Sequence, residues 1–138
     1  MHLPRLLLVV EDPKRRLTLI TQLRARFDVL VSADKPPSVR RIREQRPELV
    51  LLSLGRRAAP GLRLCLSLKT DRRPPRVVVL DPHGASEQEA VLDTHLADAY
   101  GRGQLSPEQI LELLDGREGA RTVTGPIERS LLSRLLRR

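Results

Sequence analysis

Four short groups of polar residues interrupt otherwise apolar stretches, and their chemistry is the first thing the sequence offers. Glu11 and Asp12 follow Leu6–Val10, Ser53 and then Arg56 and Arg57 follow Leu49–Leu52, Asp81 follows Val77–Leu80, and Arg102-Gly103-Gln104 follows the stretch Ala97–Gly101. Adjacent carboxylates provide the oxygen ligands that a hard cation requires. A carboxylate or hydroxyl at a strand end can accept a group only if it is activated and if the charge that develops is neutralised, which is the usual task of arginine or lysine. Three carboxylates brought to one edge repel one another unless a cation or a proton compensates them. Arg56, Arg57 and Arg102 are the residues able to neutralise such a pocket by bridging carboxylates with a guanidinium fork.

The elements that must position these groups are readable from the apolar pattern. Leu6–Val10, Leu49–Leu52 and Val77–Leu80 are short unbroken runs bounded by charge or proline, the pattern of strands buried on both faces of a parallel sheet. Asp28–Val31 is a weaker fourth strand and Ala97–Arg102 a poor fifth. Between them, Leu17, Ile20, Leu23 and Phe27 recur at helical spacing. Further helices are predicted over 38–46, 61–70, 87–95 and 106–115. Ser86-Glu87-Gln88-Glu89 and Ser106-Pro107-Glu108-Gln109 both fit a capping box, the latter with proline at the first helical position. Five βα units predict a flavodoxin-like, doubly wound α/β fold with a five-stranded parallel sheet in the order 2-1-3-4-5. Its functional edge lies at the carboxyl ends of the strands.

Composition narrows what such a site can bind. Tyr100 and Phe27 are the only aromatics among 138 residues, so neither a base-stacking surface nor an aromatic cage can be assembled. The net charge is +8, and 22 of the 25 basic residues are arginine. Residues 1–115 and residues 116–138 each carry a net +4, so the last sixth of the chain holds half the surplus. Cys65 is the only cysteine, which excludes an intrachain disulfide and predicts a core thiol in a reducing, cytoplasmic compartment. The apolar run near the start is too short for a signal peptide or a membrane span. His2, His83 and His95 are scattered and make no metal-ligand pattern.

The order and spacing of three stretches resemble a bacterial response-regulator receiver domain. They are Leu8-Val9-Val10-Glu11-Asp12-Pro13, then Arg46–Gly55 with Gly61-Leu62, and Ala97-Asp98-Ala99-Tyr100 with Ser106-Pro107-Glu108. The resemblance spans about residues 4–115. It implies a phosphorylation pocket in which an acidic pair holds magnesium, a carboxylate ending the third strand accepts the phosphoryl group, and a lysine after the fifth strand pairs with its oxygens. Glu11 and Asp12 match the acidic pair. Ser53 stands where the acceptor aspartate belongs, Asp81 replaces a hydroxyl residue, and Gly103-Gln104 replaces the lysine-proline pair. The chain therefore reads as a degenerate receiver, a pseudo-receiver, in which ordinary aspartyl phosphorylation does not occur. Ser53 has no recognisable base and is not a catalytic nucleophile. A weak magnesium site built from Glu11, Asp12 and the Gly55 carbonyl is the remaining cofactor expectation, set against closure of the pocket by arginine.

Two surfaces are candidates for partner binding. The resemblance places an output or dimerisation face on the helices at 87–95 and 106–115 and the strand between them. There Tyr100 matches the aromatic switch residue, and Asp98, Glu108 and Glu112 add to an acidic character. Past residue 116 a flexible linker leads into a basic amphipathic helix with Ile127, Leu131, Leu132, Leu135 and Leu136 on one stripe. So short a helix is marginal alone and needs something to dock on. The division expected is a receiver-like domain at 1–116 and a linker with tail helix at 117–138. The function expected is a non-enzymatic, phosphorylation-independent module of two-component or phosphorelay signalling that binds a protein partner, a second copy of itself included. Two alternatives stand beside it: a basic transcription-associated protein contacting nucleic acid, and a phosphotransfer receiver with a non-standard acceptor.

Overall fold

A computed structural model describes residues 2–32, 38–84, 96–116 and 122–125. In chain order the elements are β1 (Arg5–Val9), α1 (Pro13–Leu23), β2 (Asp28–Val31), α2 (Val39–Gln45), β3 (Leu49–Ser53), α3 (Ala59–Lys69), β4 (Arg76–Asp81), β5 (Ala99–Arg102), α4 (Pro107–Asp115) and β6 (Thr122–Thr124). The strands form one sheet in the order β2-β1-β3-β4-β5-β6, parallel throughout. This is the flavodoxin-like α/β arrangement that the apolar runs predict.

The strand count is corrected from five to six. Thr122–Thr124 lies in the segment expected to be a flexible linker, yet it pairs with β5 in the register Gly101↔Val123. The Gly125 N–H donates to the Arg102 carbonyl at 2.7 Å and closes the ladder. Backbone hydrogen bonding to a formed strand supplies what three residues with one strongly apolar side chain cannot. The sheet thus extends past residue 116. The tail-helix residues Ile127, Leu131, Leu132, Leu135 and Leu136, and the helix expected at 87–95, lie outside the described residues.

Alternation along the strands sends side chains to opposite faces and divides the core in two. Leu6, Leu8, Leu51, Val78 and Leu80 pack with Leu19 and Leu23 of α1 and Leu113 of α4. Leu7, Val9, Val50, Leu52, Val77 and Val79 pack with Ile42 of α2 and Leu64, Cys65 and Leu68 of α3. Each such side chain contributes about 1.5–3 kcal/mol on burial. The face of α1 differs from expectation, for Leu17 is 66% exposed while Leu19 is buried. Leu19, Leu23 and Phe27 form a spacing-of-four row, and this row meets the sheet.

Helix ends follow local chemistry. The Asp12 carboxylate caps α1 by accepting the Lys14 N–H at 3.0 Å. Ser38 caps α2. The Ser106–Gln109 capping box of α4 is complete, with Ser106 N–H donating to Gln109 Oε1 at 2.8 Å and Gln109 N–H donating to Ser106 Oγ at 3.2 Å. Among the described helices only α3 begins without a side-chain cap, at Ala58, and it starts two residues earlier than the sequence pattern predicts. Burial pushes the Cys65 thiol up to about 12, as suits a core thiol.

Candidate functional site

The carboxyl ends of β1, β3, β4 and β5 bring the sequence-predicted groups to one sheet edge, but they divide into two unlike halves. On the β4–β5 side, Asp81 is 0% exposed and is the only buried charged residue among those described. Its strand position places it on the same face as Val79 and Tyr100. The Tyr100 hydroxyl donates to Asp81 Oδ2, and Tyr100 is itself completely buried. A carboxylate withdrawn from water is costly unless it is hydrogen-bonded, and the phenol provides such a bond.

Gly103 completes this half. Its backbone has φ +83° and its N–H donates to the Asp81 carbonyl at 2.9 Å. That conformation strains any residue with a Cβ, so a lysine at this position does not suit the turn. Gly84 N–H also donates to the Asp81 carbonyl, at 3.2 Å.

On the β1–β3 side the groups are accessible. Glu11 and Asp12 are exposed, and Ser53 is half-buried at the end of β3. Glu11 lies beside Gly55, its Oε2 being 3.7 Å from where a Cβ on Gly55 would sit. Asp12 is engaged as the cap of α1. Burial pushes the Arg15 guanidinium below its ordinary value, and the charge of Asp12 works against that shift.

Two expectations about the pocket are therefore corrected. Glu11, Asp12 and Asp81 do not converge, because Asp81 is turned inward to Tyr100 while the other two face solvent. Among the described residues, no three His, Cys, Asp or Glu side chains gather into a group able to hold a metal ion. Serine in place of a third carboxylate leaves Glu11 and Asp12 as the carboxylates of this half, with Asp12 also capping α1. Nor does arginine close the pocket against Glu11 or Asp12. Arg56 and Arg57 are exposed and have no hydrogen-bond or ion-pair partner among the described residues, and Arg102 has a buried, unpaired Nε.

The acidic interaction face is likewise narrower than expected. Tyr100 is buried and so is not part of a surface. Asp98 pairs with Lys69 at 2.7 Å and also accepts the Val77 N–H at 2.7 Å, which ties the end of α3 to the start of β4. Glu108 and Glu112 remain exposed on α4. His2 and His83 are exposed, as expected, and His95 lies outside the described residues.

The open half continues into a cleft of about 890 Å³ that sequence reasoning missed. Its walls include Val9, Leu52, Val39 of α2 and Leu64 of α3; Glu11, Ser53 and Gly55 form one margin, and Arg16, Arg56, Arg57 and Arg63 are its basic groups. Arg16 Nη1 donates to the Val10 carbonyl at 3.3 Å, which holds that guanidinium at the end of β1. Gly61 lets α3 approach β3, since a Cβ there would meet Leu54 Cδ2 at 2.5 Å. The one signal available in the sequence was the grouping of Arg56, Arg57 and Arg63 around the start of a helix.

No family model matches the sequence, and a search of curated proteins finds no match. Solved structures do match. A CheY-like response regulator receiver domain protein from Methanospirillum hungatei is 21% identical with a TM-score of 0.70, covering 83% of this chain and 92% of that one. A chemotaxis response regulator of Vibrio cholerae is 14% identical with a TM-score of 0.68, covering 83% and 98%. The BeF3-activated N-terminal receiver domain of RstA from Klebsiella pneumoniae is 23% identical with a TM-score of 0.67, covering 83% and 99%. The chain thus has the fold of response-regulator receiver domains.

Proposed function

We propose that this chain is a pseudo-receiver, a signalling module that binds a protein partner without being phosphorylated and without acting as an enzyme. The observation that carries the reading is Ser53 at the end of β3, where the receiver fold would need a carboxylate. Three features support it. Asp81 is sequestered by Tyr100, Gly103 occupies a backbone turn unsuited to lysine, and Asp12 is used as a helix cap. A phosphoryl transfer needs an acceptor, a cation and a fixed positive charge together, and serine in place of the carboxylate removes the first of these.

Receiver domains act through contacts with other proteins, so the exposed surface of α4 with Glu108 and Glu112, and the basic segment after residue 125, are the surfaces assigned to a partner. The arrangement fits a bacterial two-component or phosphorelay setting in the cytoplasm. Among the described residues, no helix is long and apolar enough to cross a membrane. A pull-down with the full chain, with Ser53→Ala, and with the full chain plus acetyl phosphate and magnesium is expected to recover the same partners in all three. Partners gained or lost on adding acetyl phosphate would overturn phosphorylation independence. Recovery of the same partners by a chain ending at residue 125, which keeps β6, would remove the later residues from the interface.

A further inference from the structure

The cleft between α2 and α3 has three properties that together specify a ligand. It is concave and of the size that takes small molecules. Its walls are aliphatic, from Val9, Val39, Leu52 and Leu64, and neither of the chain's two aromatics lines it. Among the described residues, its charged groups are four arginines and the carboxylate of Glu11.

Arg56, Arg57 and Arg63 have no partner among the described residues, so their guanidinium donors are available to an anion without breaking an existing pair. The first turn of α3 reinforces the same sign of charge. Ala58 provides no side-chain cap, the first turn holds no acidic residue, and Pro60 and Gly61 line the cleft.

We propose that this cleft binds a small aliphatic anion, an alkyl chain bearing a phosphate or carboxylate head. The chain lies against Val39, Leu52 and Leu64, and the head meets Arg56, Arg57 and Arg63. A planar base lacks an aromatic partner here, and the chain's own segment after residue 125 carries the same sign of charge as the arginines, so charge complementarity favours an anion instead. Occupancy would tie α2 and α3 to the open half of the strand edge and would give the module a chemical input in place of phosphorylation. The inference holds whether or not the chain accepts a phosphoryl group, so its failure and that of the pseudo-receiver reading are separable.

The test is titration of the full chain, below the micellar concentration, with octyl phosphate, octanoate, octanol, inorganic phosphate and adenosine monophosphate, followed by calorimetry and by backbone NMR shifts. Octyl phosphate or octanoate is expected to bind saturably, with shifts centred on residues 52–64. Octanol and inorganic phosphate are each expected to bind at least about tenfold more weakly. Arg56→Ala, Arg57→Ala and Arg63→Ala are each expected to weaken binding by about tenfold, while Arg72→Ala, beyond the end of α3 and outside the cleft lining, leaves it unchanged. Absence of saturable binding, equal affinity for octanol or for phosphate alone, tighter binding of adenosine monophosphate, or equal losses in Arg72→Ala and the cleft variants would overturn the proposal.

Discussion

The two halves of the strand edge use the same kinds of residue to opposite ends. At β4–β5 a carboxylate and a phenol face inward, hydrogen-bonded and fully buried, and the Gly103 N–H donates to the Asp81 carbonyl beside them. At β1–β3 Glu11, the half-buried Ser53, Arg56 and Arg57 lie along an aliphatic cleft, and Asp12 is exposed nearby. Burial decides the difference. A buried polar group is held to one arrangement by its hydrogen-bond partner, whereas an exposed one remains available to a ligand. Of the strand edge in this chain, one half is core and the other borders a cleft.

Substitutions that act on one half only sharpen this contrast. Tyr100→Phe removes the hydroxyl that donates to Asp81 and is expected to cost about 1.5–3 kcal/mol in urea unfolding, whereas Ser53→Ala in the open half stays within about 0.5 kcal/mol of the parent. Equal effects at the two positions would erase the distinction. Lys69→Met, which removes the cation paired with the half-buried Asp98 at the opposite end of β4, is expected to cost about 1–2 kcal/mol by the same measurement. Arg56→Ala and Arg57→Ala are each expected to change stability by less than about 0.5 kcal/mol, because neither side chain supports the fold. Finally, Cys65 lies in the α3 core, its thiol raised to about 12 and completely shielded. A thiol reagent at pH 8 is expected to modify it only at the rate of global unfolding. Fast modification of the folded chain would show that the open half reaches into the core.

How much of this was legible in the sequence depended on whether a feature was local. Leu6–Val10, Leu49–Leu52 and Val77–Leu80 announce buried strands because an unbroken aliphatic run has no other stable place in so charged a chain. The Ser106–Gln109 box is equally local, and it folds as its spacing predicts. The choice of Leu19 over Leu17 was not legible, since a helical period permits either row and only the sheet selects one. Thr122–Thr124 was missed because its place comes from backbone pairing to β5 rather than from its own side chains. The Asp81–Tyr100 bond joins residues on two strands and depends on how β4 and β5 are set side by side. The substitutions at Ser53 and Gly103 could be read from sequence through the family resemblance. That Gly103 is suited to a left-handed turn, and so disfavours lysine, required the backbone.

The most direct measurement is the intact mass of the full chain after incubation with acetyl phosphate and magnesium. The sealed Asp81 and the hydroxyl at Ser53 predict an unchanged mass and an unchanged melting temperature. A phosphoryl adduct that forms only with magnesium present and maps to Asp81, Ser53, Glu11 or Asp12 would contradict the reading of this edge as inert to phosphoryl transfer.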